Sequence, residues 1–354
     1  MGGTAAKAAR LTVEEGRALD YCFEQGWTDG LPVVPPTVER VAAMIAGAGR
    51  DPERDAQEIV GEFPLRRRTL TLEQVAANAV LAGCLPEYFP VLLAAVQAIC
   101  EERFCLNGPA SSTGGAGLLM IVNGPIVERL RINCRGNIFG PGVRANATLG
   151  RALRLVVMNL CGAVPQVTDR STLGSPGKYT FCIAENEADS PWTPFGVERG
   201  MPAGRSAVTV FACYSPVQIS DHITDRPEGI LDHMSIVLSA LGEARTLGHP
   251  EIAVILCGEH MRLLAEHGWS KNDVRAYLVE HAKAKRINLK HRGLDFVEFG
   301  PHDHELESVV LAPEDYFIIA AGGSGGKFSA FIPGWGANYK GPVSRAVTKL
   351  IAEP

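Results

Sequence analysis

Short runs made almost entirely of apolar residues restrict this chain more than any other feature. Gly117 to Val122, Tyr179 to Ala184, Ala207 to Cys213, Glu251 to Cys257 and Tyr316 to Ala321 are of this kind. Runs of this length and uniformity read as strands, and Glu251 to Cys257 as a buried one. Before and between them lie helical patterns: Val13 to Gln25, Val38 to Ala48, Thr71 to Ala82, Pro86 to Glu102, Arg144 to Leu160, Leu231 to Ala244 and Glu259 to Glu266. Strands that alternate with helices predict an α/β layered fold.

Local chemistry supports these boundaries. Thr71 with Gln74, and Ser270 with Asp273, have the capping spacing that opens a helix. Gly83 stops the first of them. The prolines at 32, 35 and 36 exclude a helix between Gly26 and Thr37. Gly174 to Ile183 matches Gly323 to Ile332 at five of ten positions, and Val91 to Val96 resembles Ile236 to Leu241. The offsets, 149 and 145 residues, are similar and predict two related α/β halves. The expected organisation is an N-terminal helical, Pro-rich segment over 1–60, a first half over 61–205 and a second over 206–354.

Composition excludes some classes. A net charge of −5 with 21% charged residues does not suit a nucleic-acid binder, and the longest basic run is Arg66-Arg67-Arg68. The first residues carry no apolar signal core, and no apolar run approaches a bilayer span. Nine cysteines without a CxxC pair predict reduced thiols in a cytoplasm. The expected partner is a small anionic molecule, and the expected assembly a homo-oligomer.

The strongest candidate chemistry is the pair of Gly-Ser-x-Gly-Lys loops. Gly177 with Lys178, and Gly326 with Lys327, combine free backbone N–H groups with a positive charge, which suits a carboxylate or phosphate. Neither is a P-loop, because Tyr179 and Phe328 stand where Ser or Thr is required. Gly322 to Gly326 fits the spacing of a nucleophile elbow, but no His follows His304 to complete one. Cys84, between a helix stop and the Pro86 helix start, is placed for a lowered pKa. Cys134 lies in the polar stretch Asn133 to Asn137, with Arg135 and Arg144 near in sequence to hold an anion. Glu185 and Glu187 follow a strand end on one face, as an acid/base pair or as metal ligands. All nine histidines lie after position 220, and His222, His233 and Glu185 form a candidate divalent-metal set.

Gly26 to Thr37, Arg144 to Ala152 and Gly177 to Glu187 resemble segments of bacterial proteins associated with the UGSC (seleno)protein family. The Cys-containing signature of that family is absent here. The resemblance implies a bacterial enzyme linked to thiol chemistry and transfers no catalytic residue. Together these readings predict an enzyme, a lyase or hydrolase, with its site in a cleft between the halves. Lys178 and Lys327 hold an anionic substrate there, and Cys84 or Cys134 reacts with help from Glu185. Two alternatives stay open: a metal-dependent hydrolase or lyase, and a non-catalytic ligand-binding protein or subunit of a redox complex.

Overall fold

The computed structural model describes residues 10–63, 68–244, 250–285, 300–302, 304–335 and 344–353. Arg66 and Arg67 lie outside them. The elements run α1 (Ala18–Glu24), α2 (Val38–Ala46), β1 (Ile59–Phe63), β2 (Arg68–Thr71), α3 (Leu72–Ala82), α4 (Phe89–Ile99), α5 (Asn107–Ser111), β3 (Gly117–Asn123), α6 (Ile126–Arg129), α7 (Arg144–Asn159) and β4 (Cys182–Ala184). Next come α8 (Phe195–Glu198), β5 (Ala207–Cys213), β6 (Val217–Ser220), α9 (Pro227–Ala244), β7 (Ile252–Leu256), α10 (Gly258–Glu266) and α11 (Lys271–His281). The rest are β8 (Lys283–Lys285), β9 (Leu306–Ser308), β10 (Tyr316–Ala320), β11 (Phe328–Pro333) and β12 (Val347–Leu350). The fold is α/β, as the alternation predicts. Among the described residues no helix is long and apolar enough to cross a membrane.

Two compact units divide the chain: Met1–Glu185 with Gly196–Ser215 and Ser344–Pro354, and Asn186–Phe195 with Pro216–Val343. The C-terminal segment, expected in the second half, belongs to the first unit because β12 pairs with β5. The first unit's sheet has the order β12-β5-β3-β4. β3 is parallel to β4 and antiparallel to β5, with Gly117 opposite Cys213 and Asn123 opposite Ala207. All seven residues of β5 are buried, because helices cover it. α4 packs on β5 and β12, and α7 on β3, β4 and α3.

Gly150 shows how closely α7 approaches. A Cβ there would lie 2.4 Å from the Phe181 amide nitrogen and 2.6 Å from Thr180 Oγ1. The Thr180 hydroxyl donates to the Ala147 carbonyl, pinning the chain entering β4 to the helix. Gly150→Ala gains about 1 kcal/mol of helix propensity but meets backbone, where overpacking costs about 3 kcal/mol. The expected result is a net loss near 2 kcal/mol, read as a lower denaturant midpoint. An unchanged or higher midpoint would contradict the close approach.

The second unit's sheet has the order β10-β7-β11-β6. β10 and β7 are parallel, from Tyr316 opposite Ile252 to Ala320 opposite Leu256, and every residue of both is buried. β11 is antiparallel to β7 and to β6. Ile230, Leu231, Met234 and Leu238 of α9 join Val254, Leu256, Ile318 and Phe331 in one core. Because β7 and β10 are parallel, Cys257 and Ala321 leave them at the same edge. In open α/β sheets this carboxyl edge is where ligands bind.

Both sheets have one parallel pair followed by two antiparallel pairs. Of the matched helical segments, α4 packs on β5 and β12, whereas α9 packs on β8, α10 and α11. The matched glycine loops also differ in place. Gly174 to Lys178 precedes β4, a parallel edge strand, whereas Gly323 to Lys327 precedes β11, an interior antiparallel one.

Candidate active site

The chain turns from β7 into α10 at Cys257, which is the N-cap of that helix. His260 lies in the first helical turn and is buried. Positions three apart on a helix are neighbours, so the turn brings His260 beside Cys257. β11 supplies Ser329, opposite Ile219 of β6. Its Oγ accepts from the Cys257 N–H at 3.2 Å and lies 2.7 Å from His260 Nδ1. The other ring nitrogen, Nε2, lies 3.3 Å from the Asp221 carbonyl oxygen, just past β6. A carbonyl only accepts, so Nε2 carries the proton and Nδ1 faces Ser329 and the thiol.

Burial alone would push the Cys257 thiol up. Hydrogen bonds from the His260 ring and backbone N–H, the imidazolium charge and the Ser329 hydroxyl outweigh it and hold the thiol below its ordinary value. The position at a helix N-terminus favours the thiolate further. His260 moves in the matching direction. Burial would lower it, but the Cys257 thiolate and the Asp221 carbonyl and charge raise it. The two groups thus favour a thiolate–imidazolium pair.

A glycine loop covers this pair. Gly322 and Gly326 take positive φ, 102° and 94°, and so does Lys327 at 47°. Glu259 Oε2 accepts from the backbone N–H groups of Gly325 at 3.0 Å and Lys327 at 2.7 Å. The Gly258 N–H donates to the Gly323 carbonyl at 3.3 Å. Both terminal nitrogens of Arg262 donate to Ser324 Oγ at 3.2 Å. A Cβ at 258 would lie 2.4 Å from that hydroxyl, so a side chain there would displace Ser324. The loop leaves Cys257 3% exposed.

The other expected site residues have different settings. Cys84 is buried and its thiol donates to the Thr148 carbonyl at 3.4 Å. Burial pushes that thiol up to about 12, the opposite of the lowered pKa its helix-start position predicts. Lys178 Nζ lies 2.6 Å from both Asp169 Oδ2 and Ser171 Oγ, and Arg154 bonds the same carboxylate at 2.9 Å. Asp169 therefore holds two cations, Lys178 and Arg154, within the first unit. Gly177 is part of the same packed turn, where a Cβ would lie 2.8 Å from the Phe181 ring. Arg144 is exposed and donates from two nitrogens to the Gly83 carbonyl, closing the end of α3. Cys134 is half-buried in the first unit, which contains no histidine.

Glu185 is buried and accepts from Asn123 Nδ2 at 2.7 Å. It falls in the first unit, while Glu187, half-buried, falls in the second. His222 stands edge-on to Phe328, with ring centres 5.3 Å apart. His233 Nδ1 lies 3.5 Å from Asp221 Oδ2. Among the described residues no three His, Cys, Asp or Glu side chains come together as a metal site, so the set of His222, His233 and Glu185 is not assembled.

No protein-family model matches the chain, and neither does any curated protein or solved structure. The resemblance to the UGSC family accordingly rests on the quoted segments alone. The residues that sequence reasoning missed are Cys257, His260 and Ser329. A signal for the first two was present: a Cys directly after a buried apolar run, with His three positions on in Cys257-Gly258-Glu259-His260.

Proposed function

We propose that the protein is a thiol-dependent enzyme in which Cys257 is the nucleophile and His260 its acid–base partner. The observation that carries this reading is the turn from β7 into α10, which sets Cys257 at the helix N-cap three residues before a buried His260 that Ser329 and the Asp221 carbonyl orient, and the direction of the thiol shifts agrees with it. Burial raises the thiols of Cys22, Cys84, Cys100 and Cys182, whereas Cys257, also buried, is lowered by its neighbours. A lowered thiol beside an oriented imidazole is the arrangement of nucleophilic catalysis. The reaction that fits best is hydrolytic acyl transfer on a small substrate. The Cys257 sulfur forms a bond to the acyl carbon and the carbonyl π pair moves to oxygen. That pair then returns, the leaving group departs and His260 gives it a proton. Water, deprotonated by His260, cleaves the resulting thioester and restores the thiol. The Gly322 to Lys327 loop opens to admit substrate and closes to exclude water during the first step.

Limiting iodoacetamide, applied about two units below the ordinary thiol value, reads thiolate reactivity. Mass spectrometry is expected to find Cys257 labelled first and Cys84 left intact. Labelling of other cysteines with Cys257 untouched would end the proposal.

A further inference from the structure

Arg262 is exposed at the mouth of the Cys257 site, and its charge is not neutralised by any carboxylate among the described residues. Its guanidinium places two of its donors on one neutral oxygen, Ser324 Oγ. One of those nitrogens, Nη1, lies 3.3 Å from where a Cβ on Gly258 would stand, directly after the nucleophile. The nearest acid in sequence, Glu259, is committed to the backbone N–H groups of Gly325 and Lys327. Lys327, on the same loop, also makes no ion pair among the described residues. A planar fork of donors held by one hydroxyl is preorganised for a two-oxygen acceptor.

We infer that the substrate of Cys257 carries a carboxylate, and that Arg262 is the residue that selects it by exchanging the Ser324 hydroxyl for the two carboxylate oxygens. The inference rests on the reading of Cys257 as nucleophile. The two donors of the fork match the two oxygens of one carboxylate. The exchange also releases Ser324, one of the loop's tethers, while Glu259 on the Gly325 and Lys327 N–H groups and Gly258 on the Gly323 carbonyl keep holding the loop.

Two alkylators that differ mainly in charge test this. Iodoacetate and iodoacetamide each place an S–CH2 bond on the thiolate and expel iodide, but only iodoacetate carries a carboxylate. Their rates at Cys257, divided by their rates with free cysteine, isolate what the site adds. The expected result is a preference for iodoacetate of roughly tenfold, the scale of one charge-assisted pair at a partly wetted site. Arg262→Met is expected to erase that preference in the ratio of the two rates at Cys257, whatever it does to the iodoacetamide rate itself, and an unchanged denaturant midpoint reports an intact fold. Equal normalised rates in the parent protein, or a preference that survives Arg262→Met, would overturn the inference while leaving Cys257 as nucleophile. Failure of both reagents at Cys257 would remove the proposed function, and the inference with it.

Discussion

His260→Ala moves the ionisation of Cys257 upward, toward the ordinary thiol value. The His260 ring hydrogen bond is the largest of the effects that oppose burial at this sulfur, and the substitution removes it together with the imidazolium charge. What remains is desolvation, opposed only by the backbone N–H of residue 260 and the Ser329 hydroxyl, so the balance shifts toward the neutral thiol. Below its pKa a thiol loses about tenfold in thiolate per pH unit, so Cys257 alkylation at neutral pH falls while the rate at high pH is retained. Turnover falls further, by roughly 10²- to 10⁴-fold, because the leaving group also loses its proton donor. The parent profile is a bell. The lowered Cys257 carries thiolate reactivity toward acid, and the raised His260 keeps its imidazolium toward alkali. The check is the pH dependence of Cys257 labelling in both proteins. Superimposable profiles would show that the thiol owes nothing to the imidazole.

What was legible in the sequence, and what was not, follows the range of the interactions. The strands β5, β7 and β10 were legible because burial on both faces leaves an uninterrupted apolar run. The helix starts at Thr71 and Ser270 were legible because a capping box spans only four residues, and both boxes form. Strands β6 and β12 have four residues each and owe their existence to partners elsewhere, Phe328 to Phe331 and Ala207 to Val210. The two lysine loops read alike because the sequence did not reveal Asp169, which claims Lys178 and leaves Lys327 unpaired among the described residues. Cys257 read as the end of a strand. Its chemistry needs Ser329 and the Asp221 carbonyl, brought in by strands far away in the chain.

The segment from Gly26 to Thr37 carries much of the family resemblance, yet the structure gives it a mechanical task. Arg151 of α7 holds it. Its Nε and Nη2 each donate to Asp29 at 2.8 Å, and Nη2 reaches the carbonyls of Leu31 at 3.2 Å and Pro32 at 2.9 Å. Pro32, Pro35 and Pro36 offer no N–H, so a strand ladder cannot anchor this stretch, and one guanidinium substitutes for it. The Asp29 side chain is 4% exposed. Arg151→Met therefore leaves a buried carboxylate and two carbonyls without their donor, a loss of about 3–5 kcal/mol. The sign of its pH dependence follows from Asp29. Burial would raise that carboxyl, but Arg151 and the Leu31 N–H outweigh it and hold it below its ordinary value. A depressed carboxyl contributes stability that is present above its unfolded value and lost as pH falls through the folded one. The parent should thus lose stability on acidification where Arg151→Met, already without that contribution, loses less. Denaturant midpoints of both proteins at neutral and acidic pH measure this, and Asp29→Asn combined with Arg151→Met should recover part of the loss by removing the stranded charge. A single-variant loss under about 1 kcal/mol would place the pair among surface contacts and leave the docking of this strap to Val33 and the contacts of Trp27.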